Sequence, residues 1–140
     1  MMTDRRLYRL LDANFNRAKE GLRVCEDVSR FAFNQRVVTR AFKEARHELT
    51  DLMKVLNWKE IIEARDIKKD IGKTSTASEM KRKNVEDILL ANLQRVKESV
   101  RVLEEISKLM RKDAAERFKR LRYQIYYLEA ILVRKFSFYK

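Results

Sequence analysis

Asn14, Arg17, Glu20 and Arg23 follow one another at helical spacing, and Asn92, Arg95, Glu98 and Arg101 repeat the same order seventy-eight residues later. Guanidinium groups present a planar fork that matches phosphoryl oxygens, and amides orient a polar ring, so this set suits the grip of a phosphorylated small molecule. Arg46 and Arg122 recur on matching flanks of two further helices. Asp66 and Asp70 form a carboxylate pair beside Gly72, Lys73 and Thr74. Such a pair can hold Mg²⁺ next to a loop whose backbone approaches phosphate.

Each feature also has a plainer explanation. At about 100° per residue, Asn14 and Asn92 fall inside apolar stripes. A buried amide costs on the order of 1–3 kcal/mol unless it is hydrogen-bonded. The two asparagines therefore either fix the register of a bundle by bonding each other or a neighbouring helix, or line an interior pocket with the arginines. Asn16, Glu20, Arg23, Asp27 and Arg30, mirrored by Gln94, Glu98, Arg101, Glu105 and Lys108, run down one helix face with alternating sign. Spacing alone favours an exposed ladder of ion pairs, each worth a few tenths of a kcal/mol. Gly72-Lys73-Thr74 is a poor match to a P-loop, because the earlier glycine and the preceding strand are missing. His47, the single histidine, falls opposite the apolar face of its helix, which speaks against a histidine metal site. Cys25 sits on an apolar face and reads as a small buried hydrophobe.

The elements that must position these residues are helices. Two glycines and no proline in 140 residues leave little material for turns. Leu7, Leu10, Leu11, Ala18, Gly21, Cys25, Val28 and Ala32 keep helical spacing from Asp4 to about Phe33. Val38, Ala41, Ala45, Leu49, Leu52 and Leu56 do so from Val37 to Leu56. Asn84 is placed to cap a third helix, with Glu86 and Asp87 in its first turn and Ile88, Val96, Val100, Leu103, Ile106 and Met110 on its apolar face. Asp113 and Glu116 resemble a capping box that opens a fourth, whose face carries Phe118, Leu121, Ile125, Leu128 and Leu132. Residues 57–83 break this pattern with a short helical turn at Trp58–Ala64 and a polar run from Lys73 to Glu79. A long connector of this kind is more often functional than accidental.

The repeat is the organising signal. Residues 13–31 align without gaps on residues 91–109, with about half the positions identical, and Phe42–His47 aligns on Phe118–Tyr123. Each half is an αα-hairpin that cannot bury its apolar face alone. The expected architecture is all-α: one domain over 1–140, with repeat 1 at about 4–56, a connecting loop at 57–83 and repeat 2 at about 84–138, packed as a four-helix bundle.

Composition narrows the setting. One cysteine excludes an internal disulfide, and Asp4, Arg5 and Arg6 interrupt any apolar leader, which points to the cytoplasm. No stretch is apolar enough to cross a membrane as a helix. Charged residues make up 39% of the chain, 33 Lys+Arg against 21 Asp+Glu. The net charge of +12 favours anionic partners. The basic residues are spread along the chain with no RNA-binding aromatic signature or zinc pattern, so specific nucleic-acid binding is not expected.

The run Asp12-Ala13-Asn14-Phe15-Asn16-Arg17-Ala18-Lys19-Glu20-Gly21-Leu22-Arg23, then Arg46-His47, Ala64-Arg65-Asp66 with Asp70 and Gly72, Ala91-Asn92 through Arg101-Val102-Leu103-Glu104-Glu105, and Leu121-Arg122-Tyr123, resembles the small hydroxymethylpyrimidine-phosphate kinase family. That family occurs alone or fused ahead of thiamine-phosphate synthase, and the resemblance covers nearly the whole chain in order. It implies ATP-dependent phosphorylation of 4-amino-5-hydroxymethyl-2-methylpyrimidine phosphate to the diphosphate used to build thiamine. Phosphoryl transfer needs positioned phosphates, neutralised charge and an oriented acceptor more than covalent help. The resemblance therefore implies catalytic roles for Arg17, Glu20, Arg23, Asp66 and Asp70, with Mg²⁺ on Asp66 and Asp70 or on Glu20. Substrate and phosphate contacts fall to Asn14, Arg46, Gly72, Asn92, Arg95, Glu98, Arg101 and Arg122. ATP and Mg²⁺ are the implied cofactors, and thiamine-phosphate synthase the implied partner in the pathway. A homodimer is also expected, since symmetric helical bundles often pair. The chain departs from the family pattern in one place: Lys73 separates Gly72 from Thr74 where Gly-Thr is expected.

Two rival readings stay open from the residues. A chorismate-mutase-like bundle would use core arginines and a glutamate on a dicarboxylate without metal or ATP. A basic non-enzymatic bundle would bind nucleic acid in a salt-sensitive way.

Overall fold

The computed structural model describes residues 5–74 and 80–136. Asp4, residues 75–79 of the polar run and residues 137–138 at the end of the second repeat lie outside the described residues. The chain forms α1 (Arg5–Asp27), a π-helical turn (Val28–Ala32), α2 (Arg36–Val55), a short α3 (Trp58–Glu63), α4 (Val85–Ser107) and α5 (Lys112–Phe136). Among the described residues there is no strand.

Local chemistry explains the boundaries. Asn34 and Asn57 adopt left-handed backbone, φ 52° and 72°, at the starts of α2 and α3. Asparagine tolerates that conformation better than other residues with a Cβ. The turn before α2 is wide: the Phe33 amide donates to the Val28 carbonyl and the Gln35 amide to Ser29, at 3.2 and 2.9 Å. Asn84 caps α4 as expected, its Oδ1 accepting the Asp87 amide at 2.8 Å. Asp113 is not the cap of α5. That helix begins at Lys112, and Asp113 sits inside its first turn, where Arg111 donates to its carboxylate at 3.0 Å.

α1 packs most extensively on α4, and each repeat closes its own hairpin, α1 on α2 and α4 on α5. α1 and α4 run antiparallel, which brings the ends of α1 and α5 together, with the rings of Phe33 and Phe136 stacked at 4.5 Å. At the crossing, an added Cβ on Gly21 would lie 2.7 Å from Val96 Cγ2 and 3.2 Å from the Asn92 carbonyl. Only glycine allows this approach. The relation is reciprocal: Ser99, the counterpart of Gly21, shares a groove with Asn14, the counterpart of Asn92.

Phe15, Phe42 and Phe118 fill the centre, and Phe15 lies 5.9 Å from Phe118 between ring centroids. The stripes of α2 and α5 are buried or half-buried as expected. The first stripe differs: Leu10 is 42% exposed and Ala32, in the π-helical turn, is exposed, while Phe15, outside the expected set, is fully sealed. α3 returns over α1 and seals Ile61 and Ala64 against the core. No helix of the described residues is long and apolar enough to cross a membrane.

Candidate functional site

Because α3 folds back on α1, the segment after it lies along the first half of α1. Arg65 is the anchor. Its Nε and Nη2 donate to the two carboxylate oxygens of Asp12 at 2.8 and 2.7 Å. Asp12 is 5% exposed, and these hydrogen bonds hold the Arg65 guanidinium above its ordinary range. Asp66 and Asp70 then face a concavity of about 430 Å³, together with Asn14, Asn16 and Arg17 of α1. Arg6 and Arg9 line the same hollow, so two carboxylates stand across from several cations.

Both acidic side chains are held by local backbone. Asp66 accepts the Lys69 amide at 3.2 Å, and Asp70 accepts the Gly72 amide at 2.9 Å. Gly72 itself is exposed and serves here through its N–H. Among the described residues no three acidic, histidine or cysteine side chains gather to hold a metal ion. Mg²⁺ asks for less, since it keeps several waters and binds one or two carboxylates plus substrate phosphates. The Asp66–Asp70 pair fits that donor set.

Asn14 and Arg17 also line a second groove of about 390 Å³ at the α1–α4 crossing, opposite Gln94, Arg95, Glu98 and Ser99. The two hollows thus share one wall. Asn14 is buried and donates its Nδ2 to the Leu10 carbonyl at 2.8 Å. Asn92 makes the same bond to Ile88, also at 2.8 Å. The asparagines bond within their own helices and not to each other. Each amide oxygen is left to accept.

The remaining arginines do other work. Arg122 is 8% exposed and donates through Nε to Glu104 at 2.8 Å and through Nη1 to the Tyr126 hydroxyl at 2.9 Å. Its guanidinium also lies over the Tyr123 and Tyr126 rings, and the Glu104 bond pushes its pKa up. Arg46 pairs with Glu26 at 3.0 Å, the same pair in the first repeat. Arg101 bridges Glu104 and Glu105 at 2.9 and 3.1 Å, and Arg23 lies 3.9 Å from Glu26. The second-repeat stripe is therefore the exposed ion-pair ladder, completed by Gln94 to Glu98 and Lys108 to Glu105, both 2.8 Å. Glu20 is exposed and lines neither hollow.

The structure thus brings together Asn14, Arg17, Asp66 and Asp70 on one side and Asn14, Arg17, Arg95 and Glu98 on the other. It leaves Glu20, Arg23, Arg46, Gly72, Asn92, Arg101 and Arg122 outside both walls. Asp12, Glu26 and Glu104 escaped attention in the sequence as site residues. Their signal was there: each is a carboxylate on the margin of an apolar stripe, and Glu26 and Glu104 recur together with Arg46 and Arg122.

With the geometry in place, comparison with known proteins adds a family. Residues 9–131 match the ThiD2 family. The chain belongs to the ThiD2 family. Thiamine-phosphate synthase of Nostoc punctiforme is 41% identical to this ThiD2 chain over 130 residues, which cover 91% of the chain and 35% of that protein. The Synechocystis protein of the same name is 41% identical over 126 residues, 89% of the chain and 36% of the relative. That of Rhodopirellula baltica is 37% identical over 123 residues. The ThiD2 chain spans about a third of the length of these relatives. No solved structure matches it.

Proposed function

We propose that this chain transfers a phosphoryl group from ATP, with Mg²⁺, to 4-amino-5-hydroxymethyl-2-methylpyrimidine phosphate, giving the diphosphate for thiamine biosynthesis. The observation that carries the reading is the shared wall: Arg17 and Asn14 stand between a hollow holding Asp66 and Asp70 and a groove holding Arg95 and Glu98. Two phosphorylated reactants need two adjoining anion-binding hollows, and the relatives named thiamine-phosphate synthase supply the pathway.

In this reading Arg17 and Arg95 neutralise phosphoryl oxygens and fix their orientation. Asn14 already spends its N–H on Leu10, so its carbonyl oxygen is set to accept from the amino group of the pyrimidine. Asp66 and Asp70 would hold Mg²⁺, which supplies charge neutralisation across phosphate oxygens when bound. Arg65 keeps both carboxylates in place through Asp12. Arg46 and Arg122 brace the hairpins through Glu26 and Glu104. Thiamine-phosphate synthase would take the diphosphate onward.

The direct test is incubation with Mg-ATP and the pyrimidine monophosphate, followed by measurement of diphosphate and ADP. Arg17→Ala and Asp66→Asn should each lower turnover tenfold or more if these groups act on the transferring phosphoryl. Near-wild-type rates in both would remove them from the site. A pocket built on guanidinium groups is left with unpaired charge by the free alcohol, so kcat/KM should fall steeply without the substrate phosphate. Equal values for alcohol and monophosphate would overturn this reading.

A further inference from the structure

The corner between α1 and α2 encloses a concavity of about 580 Å³ that the activity above does not use. Arg30, Arg36, Arg40 and Lys43 stand around it, and Glu26 supplies the carboxylate in its wall. Glu26 offers these cations little, because it is 5% exposed and already holds Arg46 at 3.0 Å. Among the described residues no ion pair engages Arg30, Arg36, Arg40 or Lys43, and Arg30 only stacks over Phe31 at 4.6 Å.

The second repeat provides an internal control. At its corner Lys108 pairs with Glu105 at 2.8 Å and Arg111 with Asp113, while Lys112 and Lys119, the counterparts of Arg36 and Lys43, are in no ion pair among the described residues. Glu116 stands where the first repeat has Arg40, and Ala115 where it has Thr39. The same fold therefore offsets more of the positive charge at the second corner, through Glu105, Asp113 and Glu116, than at the first. One further feature of this corner points the same way: α2 starts without a side-chain cap at Gln35 and without an acid in its first turn, so its positive end opens here.

We propose that this corner binds the oligophosphate group of a small molecule. Four cations held around one hollow repel each other, and a multiply charged anion relieves all four at once. A volume of this size suits a small ligand. A nucleic-acid backbone spreads its charge along an extended path and would call for a basic stripe in place of a hollow. The corner is separate from the hollows above: Arg17 and Arg30 lie thirteen residues apart on the same helical stretch, about 20 Å at 1.5 Å per residue. Phosphoryl transfer requires reacting atoms about 3–3.5 Å apart, so this is a binding site and not a second half of the reaction centre. The inference stands whether or not the chain is a kinase.

Titration calorimetry with inorganic tripolyphosphate on the full chain tests it. The wild type should show saturable binding, and Arg36→Gln with Arg40→Gln should weaken one binding class tenfold or more. Arg17→Gln with Arg95→Gln should leave that class intact. Both pairs are exposed, so circular-dichroism melting curves should superimpose on the wild type and the pyrimidine-kinase rate of the Arg36/Arg40 variant should not change. Unchanged affinity in the Arg36/Arg40 variant overturns the proposal, as does loss confined to the Arg17/Arg95 variant. A single-stranded RNA oligomer that displaces tripolyphosphate at lower concentration would also overturn it, assigning the face to nucleic acid.

Discussion

Arg65 grips both carboxylate oxygens of Asp12, at 2.8 and 2.7 Å, across fifty-three residues of sequence. This contact ties the segment after α3 to α1, and Asp66 follows Arg65 directly. Asp12 is sealed and Arg65 is half-exposed, so the pair is screened on one side only.

Arg65→Ala should therefore cost stability modestly, about 1 kcal/mol, by leaving the Asp12 carboxylate short of a donor. It should reduce the proposed pyrimidine-phosphate turnover far more, by tenfold or greater, because Asp66 and Asp70 lose their placement. Thermal melting and an ADP-release assay on the same preparation separate the two effects. Arg65→Lys should recover stability but little activity, since an ammonium cannot engage both oxygens.

Gly21 predicts a steric limit at the α1–α4 crossing. A Cβ there would meet Val96 at 2.7 Å and the Asn92 backbone at 3.2 Å. Gly21→Val should lower unfolding free energy by about 1–3 kcal/mol through overpacking. Gly21→Ala with Val96→Ala should recover part of the loss. Urea denaturation would show it.

The buried Glu104–Arg122 pair makes a two-part prediction. Glu104→Ala strands a guanidinium that is 8% exposed, and should cost about 3–5 kcal/mol. Replacing both residues, Glu104→Leu with Arg122→Met, should return most of that stability, because similar apolar volume needs no partner. Tyr126→Phe should cost only about 1 kcal/mol, for one hydrogen bond lost. Denaturant midpoints of the four proteins give the comparison directly.

Cys25 is fully sealed, and burial pushes its thiol well above the ordinary range. A thiol reagent at pH 8 should leave the native chain unmodified and react only at the rate of unfolding. The unfolded thiol ionises near its usual pKa while the folded one stays protonated. Stability from this group therefore holds below the ordinary thiol range and declines as the pH rises past it.

Much of this could be read from residue order. The duplication, the apolar spacing of α2 and α5, the Asn84 cap and the single long connector all follow from patterns of three and four. Phe15 keeps helical spacing with Leu11, Ala18 and Leu22 and is sealed at the centre against Phe118, while Leu10, one position off that stripe, is left to line the hollow beside Asp66 and Asp70. Residue type alone does not sort the arginines. Arg46 and Arg122 look identical to Arg17 and Arg95 in one dimension, and the difference lies in which of them meets a sealed glutamate. That meeting joins side chains about twenty residues apart across a hairpin, so spacing within one helix could not reveal it.

Two hairpins that dock on each other reciprocally, as Gly21 on Asn92 and Ser99 beside Asn14 do, could associate equally as separate half-length chains. Joining them makes that association independent of dilution, since the connector supplies a fixed effective concentration of one half for the other. It also releases the halves from having to stay alike. One copy can keep a corner of unpaired cations while the other sets Glu116 and paired lysine and arginine at the same place, a division of labour that a true homodimer of hairpins cannot encode.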